Sequence, residues 1–170
     1  CNNFESIFLQ CESLVNLELS DWNTSNATSF MNLFAGCQNL KFIDVSNFDT
    51  TKVTNMAGMF FGCESLEKLD VTNFDTSQVT EMTLMFGGGH FNEEPNRKYD
   101  GCGFTTIDLS DFNTSQVTLM YGMFNQCRNL ETLDLSSFNT EKVTNMRFLF
   151  ARCNNLVSLN IDTFNTSADT

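Results

Sequence analysis

Residues 66 to 86 read LEKLDVTNFDTSQVTEMTLMF, and this stretch decides the architecture because the chain keeps repeating it. Its aromatic, Phe74, stands in a column with Trp22, Phe48, Phe112, Phe138 and Phe164, which recur every 26 residues apart from one interval of 38. A fixed period in that range marks units too small to bury their own apolar faces, which must therefore stack on one another. The expectation is one elongated repeat domain over residues 1–170, built of about six 26-residue units, with residues 87–103 as an inserted loop. Cys1 occupies the place of Val53 and Thr170 follows Asn165-Thr166 with no closing unit, so the chain reads as a piece of a longer array.

Within the unit, Leu66, Leu69 and Val71 fit the inward positions of a short strand, with Lys68 and Asp70 facing out between them. Thr72-Asn73 supplies turn chemistry and Phe74 returns to the core. Thr80 then suits the N-cap of a short helix carrying Met82, Met85 and Phe86 at i, i+3 and i+4, and Gly36 and Gly62 suit helix ends in the preceding units. The predicted fold class is an α/β solenoid, with a parallel sheet on one face and short helices on the other. Phe8, Phe34, Phe60, Phe86, Phe124 and Phe150 form a second aromatic column, read as core. Two Thr columns, starting at Thr24 and Thr28, are assigned to satisfying backbone groups in turns and caps rather than to ordering water on a surface.

The pattern L-D-[VL]-[ST]-x-F-[ND]-T-[STE]-x-V-T-x-M-x-x-[ML]-F-x-x-C-x-[NS]-L, taken from residues 69 to 156, resembles the BspA-like leucine-rich repeats of bacterial surface proteins. It is more closely similar to a 26-residue surface-protein repeat first noted, as a domain of unknown function, in mycoplasma lipoproteins. The resemblance covers all but residues 87–103. It implies a right-handed, leucine-rich-repeat-like coil on a secreted or surface-anchored protein, with roles in adhesion and host or matrix binding. It carries no catalytic residues.

With 21 acidic against 9 basic residues and a net charge of −12, nucleic acid is excluded as a partner, because that binding depends on Lys and Arg neutralising phosphates. Anionic membrane surfaces are disfavoured for the same reason, and no stretch approaches the roughly 20 apolar residues needed for direct membrane insertion. A protein or glycan ligand remains, and a basic protein suits the charge. No cofactor is expected.

Glu18, Asp44, Asp70, Asp108 and Asp134, with Asn160 last, occupy the central outward strand position. Their mutual repulsion must be offset by solvent, a cation or a basic partner, and the clustered spacing of a calcium loop is missing. Beside them the other outward position varies through Asn16, Phe42, Lys68, Thr106, Thr132 and Ser158, as a recognition surface would, with Phe42 as an apolar anchor. The inserted loop holds His90, Phe91 and Tyr99 as further binding candidates. A lone His with no patterned partner argues against a catalytic or metal site there.

Six cysteines, Cys11, Cys37, Cys63, Cys102, Cys127 and Cys153, fall at or near one repeat position and are read as buried free thiols, since β-carbons pointing the same way suit neither disulfides nor a tetrahedral metal. The functional expectation is a non-enzymatic surface or secreted module that binds through the sheet face, with the inserted loop as a second candidate. Its alternatives are a structural spacer projecting another domain and, more weakly, an enzyme with its site in the loop.

Overall fold

The structure, a computed structural model, describes residues 3–91 and 94–165, and the side chains of residues 90–98 lie outside what it describes. Successive repeats lie side by side in parallel register. Asn3, Ser29, Asn55, Glu81, Leu119 and Asn145 form a column in which each residue makes a parallel bridge to the next. The strands among the described residues are β1 (Gly89–Phe91), β2 (Glu94–Tyr99), β3 (Thr132–Asp134) and β4 (Ser158–Asn160). β3 and β4 pair in parallel, Thr132 opposite Ser158 and Asp134 opposite Asn160, whereas β1 and β2 form an antiparallel hairpin.

The α/β solenoid expected from the sequence is thereby corrected. No described residue lies in an α-helix, and the sheet expected along one whole face is reduced to β3 and β4, each of 3 residues. The leucine-rich-repeat-like coil falls with the two layers that would define it.

Residues 30–37 show why no helix forms. A helix would send each N–H to the carbonyl four residues back. Here the N–H groups of Phe30, Asn32, Phe34 and Gly36 donate instead to Asn55, Ala57, Met59 and Phe61 in the next repeat. Those of Leu33, Ala35 and Cys37 close local turns onto Phe30, Asn32 and Phe34. The alternation rests on left-handed backbone at two fixed positions, Ser6, Asn32, Gly58, Leu84, Gly122 and Phe148 at the first, and Gln10, Gly36, Gly62, Gln126 and Arg152 at the second, with φ from 54° to 75°. Thr80, expected as an N-cap, donates its hydroxyl to the Thr54 carbonyl of the preceding repeat at 3.2 Å, and Thr54, Thr118 and Thr144 do the equivalent.

Side-chain turns replace the missing regular structure at the corners. Asp44, Asp49 and Asn55 each accept the N–H two residues on, from Ser46, Thr51 and Ala57, at 2.9, 3.1 and 2.8 Å. These are the local bonds with which Asx residues compete against helix and strand.

Apolar columns run through the stack. The rings of Phe8, Phe34, Phe60, Phe86, Phe124 and Phe150 stack in sequence with centroids 5.5 to 6.0 Å apart. Val53, Met56, Val79, Met82, Val117 and Met120 are wholly buried beside them. At roughly 1.5–3 kcal/mol per buried side chain, these columns are the main source of stability. Polar staples set the register between layers. The buried Thr76 hydroxyl donates to the Asn113 carbonyl at 3.1 Å and accepts the Asn113 N–H at 2.8 Å, and Thr24, Thr114 and Thr140 repeat the pattern. Each thiol from Cys37 to Cys153 donates to a Phe carbonyl of the preceding repeat at 3.1 to 3.3 Å.

The insertion leaves the repeat just after Gly88, whose N–H still donates to Asn125, and returns as the hairpin's second strand. There Tyr99 is completely buried against Ala35 and Phe61, with Leu9 and Leu84 packed around them. Its hydroxyl accepts from Gln10 Nε2 at 3.3 Å. Asp100 follows, pairing with Arg128 at 3.1 Å and donating its N–H to Glu64 Oε1 at 3.1 Å. The hairpin is thus pinned across several repeats.

Candidate functional site

The expected binding face is an exposed surface with an open groove along part of it. Asn16, Glu18, Phe42, Asp44, Lys68, Asp70, Thr106, Asp108, Thr132 and Asp134 are all solvent-exposed. Alternation places them there, since Ile43, Val45, Ile107, Leu109, Leu133 and Leu135 between them turn into the core. Lys68, Thr106, Asp108, Thr132 and Asp134 converge, with Glu67, Ser158 and Asn160, on a groove of about 760 Å³. Asn16, Glu18, Phe42, Asp44 and Asp70 lie outside its lining, and Phe42 stands 60% exposed. Across the groove floor the Thr132 hydroxyl donates to that of Thr106 at 3.2 Å.

The carboxylates in this column have a local duty that accounts for their spacing. Asp70 Oδ1 accepts the Thr72 hydroxyl at 2.7 Å and its N–H at 3.0 Å, and Asp108 does the same with Ser110 at 2.7 and 3.0 Å. The Thr72 hydroxyl and then its N–H hold the Asp70 carboxyl below the usual carboxylate range, and the charges of Asp108 and Asp44 oppose this only as lesser effects. Asp44 is lowered by Ser46 in the same way, and Asp108 and Asp134 by the backbone N–H and hydroxyl of Ser110 and Ser136. Turn closure therefore stabilises each negative charge without a cation or partner. No group of three or more His, Cys, Asp or Glu side chains with metal-binding geometry occurs among the described residues.

Of the loop candidates, Tyr99 is not brought to this face. Tyr99 packs inside the molecule rather than facing a ligand, while the side chains of His90 and Phe91 lie outside the described residues. Ser158 and Asn160, the last members of the two outward columns, line the groove, and so does Glu67, which the sequence reading does not name. For Glu67 the available signal is its place directly before Lys68 of the variable column.

The family described as Mycoplasma protein of unknown function, DUF285, matches residues 2–102 and again 99–170. The chain belongs to that family. No curated protein and no solved structure matches it. As a DUF285 member it is a repeat protein whose repeats run through both matched segments, and no helix among its described residues is long and apolar enough to cross a membrane.

Proposed function

We propose that this DUF285 chain is a non-enzymatic interaction module of a secreted or surface-anchored protein, binding a protein or glycan ligand along the acidic, variable face. The observation that carries the reading is the groove where an outward position that changes from Lys68 through Thr106 and Thr132 to Ser158 runs beside the constant carboxylates of Asp108 and Asp134. Its negative column favours a basic ligand by electrostatic steering, and its small hydroxyls and carboxylates equally suit sugar hydroxyls. The surface location rests on the resemblance of the repeats to those of BspA-like bacterial surface proteins.

A spacer role has an observation of its own, the Thr staples and backbone bonds that tie each repeat rigidly to the next. Pull-down from host-matrix extracts with the chain carrying Lys68→Ser, Asp108→Asn and Asp134→Asn, all in the groove, separates the two. Asn keeps the oxygen that closes each turn, so the charge changes while the corner persists. Loss of capture with an unchanged melting temperature supports the groove. Unchanged capture that vanishes only when flanking domains of the parent protein are removed assigns the chain to spacing.

A further inference from the structure

Where one repeat meets the next, the turn after the outward carboxylate presents carbonyl oxygens to one side chain of the following layer. Asn47 meets them at the first joint, its Nδ2 donating to the Leu19, Ser20 and Trp22 carbonyls at 2.9, 3.2 and 3.3 Å. Asn73 does so at the second, on Val45, Ser46 and Phe48 at 3.2, 3.2 and 3.3 Å. At the fourth joint Ser137 donates to the Leu109 carbonyl at 3.0 Å, and at the fifth Thr163 donates to those of Leu135 and Phe138 at 3.4 and 2.8 Å. Each of these side chains brings a hydrogen to a cradle of acceptors.

The third joint is different. The residue there is Asp111, and a carboxylate has no hydrogen to donate. The two layers keep the common register around it. Two residues beyond Asn47, Asp49 bonds both ways to Thr24, and two residues beyond Asp111, Asn113 bonds both ways to Thr76. Asp111 therefore starts from the same place over the turn of Val71, Thr72 and Phe74. Among the described residues the Thr72 and Phe74 carbonyls accept no hydrogen bond, and that of Val71 accepts only the Phe74 N–H. No donor among them closes on the Asp111 carboxylate either, whereas Thr72 and Ser110 close on Asp70 and Asp108. Oxygens alone, some of them charged, repel one another across a joint, and a cation turns the same set attractive. Ca²⁺ suits it best, because its flexible shell of about 6–8 oxygens accepts carbonyls, a carboxylate and water together. Mg²⁺ demands a near-ideal octahedron and gives up its waters reluctantly. Asp111 is exposed, so water has access to complete the shell.

We propose that Asp111 and the Val71, Thr72 and Phe74 carbonyls form a calcium site that ties the third repeat to the fourth, doing with a metal what Asn47 and Asn73 do with an amide. Asp111 lies outside the lining of the acidic groove, so this site and the ligand-binding reading can fail separately. Calorimetric titration of the full chain with CaCl₂ and with MgCl₂ tests it, alongside thermal melting in EGTA and in Ca²⁺. One Ca²⁺ per chain is expected, with a dissociation constant of about 0.1–1 mM, a higher melting temperature, and Mg²⁺ weaker by roughly tenfold or more. Asp111→Asn supplies the amide, so it should bind Ca²⁺ roughly tenfold or more weakly while melting higher than the unsubstituted chain in EGTA. Asp134→Asn, in the outward column, should leave the affinity within about threefold, as for a screened surface charge. No Ca²⁺ binding at millimolar concentration, equal affinity for Mg²⁺, binding that survives Asp111→Asn, or an equal loss with Asp134→Asn overturns the assignment.

Discussion

Single residues in this protein are placed by what they do for the neighbouring repeat as much as for their own. Thr76 is the clearest case, buried and bonded both ways to Asn113 at 3.1 and 2.8 Å. Thr76→Val keeps the shape and strands both partners, so a loss of about 1–3 kcal/mol in urea unfolding is expected. Asn73 provides a complementary case, its amide donating to Val45, Ser46 and Phe48 carbonyls at 3.2 to 3.3 Å. One repeat later Asp111 stands in that position and an ionised carboxylate cannot donate. Asp111→Asn should restore the staple to the third repeat and raise stability by about 1 kcal/mol, measured as a higher melting temperature. The thiol column makes stability sensitive to alkali. Burial pushes Cys37 up to about 12 and Cys153 to about 11, and Cys63, Cys102 and Cys127 well above the ordinary 9.0. Below pH 9 folded and unfolded chains both keep these protons. Above it the unfolded chain releases them first, so the urea midpoint should fall as pH rises from 9 toward 12.

Among elements, the turn-rich segment and the hairpin carry the lesson. Phe30, Leu33, Phe34 and Cys37 are all buried, and the spacing i, i+3, i+4, i+7 is shared by a helix and by two four-residue turns in succession. Apolar periodicity was therefore unable to separate them. The discriminating signal was Gly58, in the middle of the expected helix, where φ of 61° takes the backbone out of helical geometry. The hairpin was legible only as an insertion, because its place depends on one buried contact far away in sequence. Tyr99 covers Gly62 so closely that an added Cβ would sit 2.8 Å from the ring, and φ there is 68°. Gly62→Ala should therefore destabilise by more than the roughly 1 kcal/mol of a left-handed backbone penalty. Tyr99→Ala should cost about 3–5 kcal/mol, as for other large aromatic truncations, in chemical denaturation.

At the scale of the molecule, stability is a sum of layers and their contacts, so it is uneven along the stack. Met56, Gly58, Phe60 and Gly62 donate to the next layer, and rings on either side enclose Phe60. In the last described layer Val157, Leu159 and Ile161 are exposed, at 84%, 36% and 39%. Amide hydrogen exchange should accordingly be slowest at residues 56–62 and markedly faster at 147–161, and uniform protection would contradict a layered molecule. The repeat, its register, the buried aromatic columns and the outward columns of Asp44, Asp70, Asp108 and Asp134 were determined by sequence alone, because a strict period forces like residues into like environments. Whether the backbone met its hydrogen-bonding needs within a helix or across to a neighbour was decided only by tertiary structure. So was the burial of Tyr99. Each depends on which chain segment lies alongside, and a one-dimensional pattern of apolar spacing is the same for either answer.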